Sequence, residues 1–124
     1  MQNIPESTDI QYALSLILKE RFFTVAPKSS AFLSYVVTQT LNGNGHRIKA
    51  YTIAVEALGK PTDFDPQNDP TIRVMAYRIR AVLDDYNAKP NLATACISLK
   101  SGSYVPVFSM KQADVAYQRL LPAC

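Results

Sequence analysis

The sequence predicts an α+β fold, on two observations. Between residues 9 and 87, apolar residues recur at helical spacing in four stretches separated by Pro- and Gly-containing turns. Residues 93 to 110 then hold two short β-prone runs, "ATACISL" and "SYVPVFSM", around the polar turn "KSG". Helices come first, a hairpin follows, and nothing repeats.

The first helix is expected over about Asp9 to Phe23, where Ile10, Leu14, Ile17 and Leu18 share a face. Thr8 and Gln11 have the spacing of a capping box at its start. A second helix is expected over about Ser30 to Asn42, with Phe32, Leu33, Val36, Val37 and Leu41 as its apolar stripe. Gly43 suits the left-handed position that ends helices. A short third helix runs over about Ala50 to Leu58, with Ile53, Ala54, Ala57 and Leu58 inward and Gly59 as its stop. Three prolines stiffen the loop "KPTDFDPQNDP" that follows. Asp69 is then a good N-cap and Pro70 a good first helical residue for a fourth helix over about Pro70 to Asn87. In the second strand Pro106 cannot donate to a ladder, so that strand lies at an edge or pairs only partly.

The chain has 124 residues, 48% hydrophobic and 19% charged, with a mean hydropathy of −0.04. That is enough for a core without metal or disulfides, and too few charges for a disordered chain. One domain is expected over residues 1–110, and a tail over 111–124 has only a weak helical pattern. No apolar run is long enough to span a bilayer, and "MQNIPESTDI" does not resemble a signal peptide. A cytoplasmic protein with no membrane partner is therefore expected. Cys96 and Cys124 form no disulfide framework and are expected as ordinary reduced thiols.

The fourth helix carries the functional question. Ile72, Met75, Ala76, Ile79, Val82, Leu83 and Tyr86 follow a core-facing stripe, while Arg73, Tyr77, Arg78 and Arg80 flank it or face away. Asp84 and Asp85 make the far end acidic. Helix faces arranged for i,i+4 ion pairs intersperse the signs, whereas here they are segregated. A basic beginning and an acidic end suit a helix whose first turns approach phosphates. A face carrying arginine merely for solubility produces the same pattern, so the order of elements has to decide. Helix, short helix, loop, longer helix and hairpin is the order of a winged helix-turn-helix, here with an additional N-terminal helix and a C-terminal β-hairpin wing. In that arrangement the last helix enters the major groove and the wing reaches the adjacent backbone or minor groove. Lys100, Ser101, Gly102 and Ser103 form the wing tip, and such groups are common phosphate ligands.

"TIRVMAYRIRAVL" and "ISLKSGSYVPVF" resemble the recognition helix and wing of the OmpR-type winged-helix domains of bacterial response regulators. A closer resemblance is to a winged-helix-like domain at the N-terminus of proteobacterial proteins, some with cyclase or tetratricopeptide-repeat regions. "FLSYVV", "YTIAVEALG", "FDPQNDP", "IRVMAYRIRAVLDDY" and "KSGSYVPVF" carry it, in order, across about residues 10 to 108. The resemblance implies a sequence-specific, DNA-binding transcription regulator. It implies base or phosphate contacts by Arg78 and Arg80, a phosphate contact by Thr71, a groove-facing Val74, and Gly102 and Tyr104 as the wing glycine and aromatic. Met75 stands where that pattern has histidine, Arg73 where it has an acid, and the wing offers Lys100 without an arginine, so base preference does not transfer.

The expected reading surface is Thr71, Arg73, Val74, Tyr77, Arg78 and Arg80 with Lys100, Ser101, Gly102 and Ser103. Arg47 and Lys28, Lys49 and Lys60 are candidates for added backbone contacts. The net charge of +3 and pI near 8.9 are compatible with DNA without arguing for it. One such surface contacts few base pairs, so a homodimer is expected, with the extra first helix as a candidate interface. The competing class is a protein-interaction module built on the same fold, which Tyr77 and Met75 would favour if exposed. No enzyme, cofactor or metal site is expected. His46 is a lone loop histidine, Asp63, Asp65 and Asp69 suit turns and caps, and Asp84 and Asp85 point to different helix faces.

Overall fold

The computed structural model describes residues 5–111; the expected tail beyond Lys111 lies outside them. The helices are α1 (Ser7–Ile17), α2 (Arg21–Thr24), α3 (Pro27–Leu41), α4 (Ala50–Thr52) and α5 (Thr71–Ala88). A single 3₁₀ turn, Gly45–Arg47, precedes α4, and a π turn, Ile53–Ala57, continues it. β1 (Ala95–Ser98) and β2 (Val107–Met110) pair antiparallel, with Cys96 opposite Ser109 and Ile97 opposite Phe108. The architecture is mixed helix with a two-stranded antiparallel sheet, as the α+β expectation has it.

The expected first helix is two helices. The Lys19 and Glu20 N–H groups donate to Leu16 and Ile17, three residues back, which tightens and ends α1. Glu20 is extended and its carbonyl accepts from Phe23 and Thr24 to start α2. The break has a packing reason. On an unbroken helix Phe23 would stand about 120° round from Ile17, yet both side chains are fully buried. The start of α1 also differs: the Glu6 N–H donates to the Asp9 carboxylate, so these two residues form the cap expected of Thr8 and Gln11.

α3 begins at Pro27, three residues before the expected Ser30. Proline at the first helical position was the better start signal, and the Ser30 hydroxyl instead donates to the Phe23 carbonyl at 3.0 Å. Gly43 follows α3 with φ +81°, the left-handed conformation expected there. The third expected helix is α for one turn only. The Leu58 N–H reaches back five residues to Ile53, a π-type closure that keeps Ile53 and Ala54 buried.

One core unites these pieces: Phe23, Phe32, Leu33, Val36, Val37, Ile53, Ile72, Ile79, Leu83, Ile97 and Leu99 are buried together. α1 lays Ile10, Ala13 and Ile17 against β1 and α3, and α5 packs Ile72, Ala76, Ile79 and Leu83 against β1 and α3. Tyr35 ties α3 to the π turn by donating to Glu56 at 2.6 Å, and burial foremost pushes the ionisation of that phenol upward. Pro106 precedes the paired part of β2, as its missing N–H requires. Cys96, fully buried on β1, is engaged in a disulfide. That corrects the expectation of a reduced thiol; Cys124 is outside the described residues. Among the described residues no helix is long and apolar enough to cross a membrane.

Candidate nucleic-acid interface

α5 starts where a carboxylate prepares it. Asp69 accepts the Thr71 N–H at 3.0 Å and the Thr71 hydroxyl at 2.5 Å, satisfying an N–H that the first turn leaves unpaired. Those two bonds, the hydroxyl one first, hold the Asp69 carboxyl below its ordinary range. Helix geometry sets in at Thr71, so Asp69 does its capping one residue earlier than a strict N-cap, and Pro70 takes the cap position. Thr71 is thereby half-buried, its hydroxyl hydrogen committed to Asp69 rather than projecting as the expected phosphate donor.

From there the helix sorts its side chains cleanly. Ile72, Ala76, Ile79, Leu83, Tyr86 and Asn87 are buried, while Arg73, Val74, Tyr77 and Arg78 are exposed. Positions 73 and 77, and 74 and 78, stand four apart, so these four form one continuous patch over the first two turns. Tyr77 is 70% exposed and Val74 44%, large values for apolar groups on an otherwise polar face. Met75 is half-buried against the core and contributes nothing to that patch. Arg73 donates one guanidinium N–H to the Pro66 carbonyl at 3.1 Å, which anchors it over the proline-rich loop. Arg78 makes no hydrogen bond or ion pair with any described residue.

Arg80 is turned toward the hairpin. Its Nε donates to the Leu99 carbonyl at 2.9 Å and its Nη2 to the Lys100 carbonyl at 3.3 Å. It is half-buried between the helix and the hairpin. The reason is angular: Arg80 lies one position from Ile79 and four from Ala76, both buried, so it borders the core face. A second side chain that sequence reasoning missed does similar work. Asn87, buried, donates from Nδ2 to the Ile97 carbonyl at 3.0 Å. A polar residue seven positions after Arg80, on the same face, was the available signal.

The tip of the hairpin is a tight turn. The Ser103 N–H donates to the Lys100 carbonyl at 3.1 Å, and Gly102 has φ +80°, a conformation this turn demands and glycine adopts without strain. The Ser103 hydroxyl oxygen accepts from the Val105 N–H at 3.1 Å, so it shapes the turn from within. Lys100, Ser101 and Gly102 are exposed. Of the wider basic candidates, Lys28, Arg47 and Lys49 are exposed, whereas the Lys60 ammonium lies 5.8 Å from the Phe64 ring centroid.

The acidic end of α5 is partly neutralised. Lys89 lies 3.6 Å from the Asp85 carboxylate and 3.9 Å from that of Glu20, supplying the positive charge that a helix C-terminus favours. No group of three or more His, Cys, Asp or Glu side chains among the described residues is arranged to hold a metal ion. In comparison with known proteins, the chain matches no family model, no curated protein and no solved structure.

Proposed function

We propose that this chain is a winged-helix module that binds double-stranded DNA as a transcription regulator, with α5 in the major groove and the 99–106 turn on the backbone. The observation that carries the reading is the patch of Arg73, Val74, Tyr77 and Arg78, all exposed on the first turns of α5. Buried Ile72, Ala76 and Ile79, one or two residues from each member, anchor the helix beneath it. A guanidinium with no partner among the described residues, as at Arg78, offers a donor fork to an acceptor pair, and guanine O6 and N7 supply one in the major groove. Asp84 and Asp85 at the far end repel phosphates, which favours entry by the N-terminal turns. Lys100, exposed at the wing tip, adds a backbone contact.

Thr71 and Arg80 are set apart from the reading set, because the Thr71 hydroxyl hydrogen and two of the five Arg80 N–H groups are engaged within the protein. A homodimer remains part of the proposal, since one such face spans few base pairs. The apolar side of α1 is consumed by the chain's own core, and its outward face is polar apart from Tyr12. α1 therefore offers a partner little apolar area.

Binding to mixed-sequence duplex DNA across a salt series tests the proposal. Affinity should fall steeply with salt; Arg78→Ala should cost about 1–3 kcal/mol on a preferred sequence, and Lys100→Ala should flatten the salt slope by about one unit. Salt-independent or undetectable binding at low salt would remove it. In that case the same patch, with Tyr77 and Val74 at its centre, fits the alternative of a protein-docking surface.

A further inference from the structure

Arg80 and Asn87 stand seven residues apart on α5, and the carbonyls they reach, Leu99 and Ile97, stand two apart on the hairpin's first arm. Residues two apart on a strand project their carbonyls from the same edge. The hairpin's first arm thus presents to α5 carbonyls on the edge away from β2, and α5 meets them with two side chains. Arg80 goes one step further. Its second donor meets the Lys100 carbonyl, the same oxygen that accepts the Ser103 N–H closing the wing turn. The wing tip is fastened to the helix by one guanidinium.

We propose that Arg80 is a positioning residue that fixes where the wing lies relative to α5, and so where Lys100 meets the duplex. This rests on the DNA-binding reading for its consequence, but not for its geometry. A planar fork reaching two carbonyls in fixed directions is something arginine does and lysine does not. Lysine at 80 keeps the charge and loses the fork.

The test has two arms. In the DNA-free protein, hydrogen exchange of the Ser103 amide should accelerate about tenfold or more in Arg80→Ala and in Arg80→Lys, as expected for losing charge-assisted hydrogen bonds. Core amides such as that of Ile79 should be unaffected, which separates wing loosening from misfolding. In the second arm, DNA affinity is measured for Arg80→Ala, Lys100→Ala and the double variant. A residue acting through the wing gives strongly non-additive losses, the second substitution costing less than about threefold once the first is present. Two independent phosphate contacts would give additive losses, with lysine at 80 restoring both affinity and salt slope.

Unchanged Ser103 exchange in both variants, or additive losses with rescue by lysine, overturns the proposal. Absence of DNA binding by the unsubstituted protein defeats the function reading alone, and the exchange arm then decides whether Arg80 fastens the wing.

Discussion

Arg78 and Arg80 sit two residues apart with the same chemistry, and their surroundings give them different tasks. Arg78 is exposed and has no partner among the described residues, and Arg80 donates to two hairpin carbonyls. Arg78→Ala should therefore leave the melting temperature within about 2 °C of the parent, since surface substitutions away from specific contacts change stability by less than about 0.5 kcal/mol. A large stability loss would mean that Arg78 has structural work that its exposure hides. Asp69 makes the opposite kind of prediction. Its carboxyl is held below the ordinary range in the folded chain by the two Thr71 bonds. The unfolded chain therefore binds the proton more readily, and the carboxylate stabilises the fold above the ordinary Asp value of about 3.9. That contribution is lost as pH falls through the depressed folded value. Urea melts of the parent and of Asp69→Asn should differ most at neutral pH and converge under acid; a gap that widens under acid would contradict the assignment.

At the scale of elements, the sequence was most legible where periodicity and burial coincide. The apolar stripes of α3 and α5 and both arms of the hairpin lie where the spacing put them, within a few residues at their ends. What escaped was chain direction. Spacing alone does not reveal that the chain breaks after Ile17 to turn Phe23 inward, because the run through Leu18 reads as one helix and the need to rotate comes from α3. The candidate site divides the same way. Arg73, Val74, Tyr77 and Arg78 follow from helix geometry, but the fate of Arg80 depends on carbonyls nineteen and twenty residues onward. No local pattern carries that. Gly102 belongs to this scale too. A Cβ there would meet nothing within 4 Å, so only the φ of +80° opposes a larger residue. Gly102→Ala should cost about 1–2 kcal/mol in the stability of the hairpin turn, read as faster exchange of the Ser103 amide, with no change at core amides. Gly102→Asn, which tolerates the left-handed region better, should cost less.

For the molecule as a whole, the proposed reading assigns stability and recognition to opposite faces of one helix. The inward face of α5 joins α3, α1 and β1 in a single buried cluster, while the outward face bears the cationic patch. Truncating Leu83, fully buried on that inward face, should destabilise the fold by about 2–5 kcal/mol through lost burial and the cavity left behind. Because the cluster is continuous, helix loss and hairpin loss should occur in one transition, shifted to lower denaturant with an unchanged slope. Well below that transition, Leu83→Ala should bind duplex DNA as the parent does, since the rigid turns that carry Arg73, Val74, Tyr77 and Arg78 precede the truncated site. Arg78→Ala should do the reverse, losing affinity with no stability cost. Circular dichroism melts and a DNA titration on both variants separate the two faces. If Leu83→Ala lost affinity as severely as stability while still folded, the patch would depend on fine core packing, and the division between a supporting and a reading face would not hold.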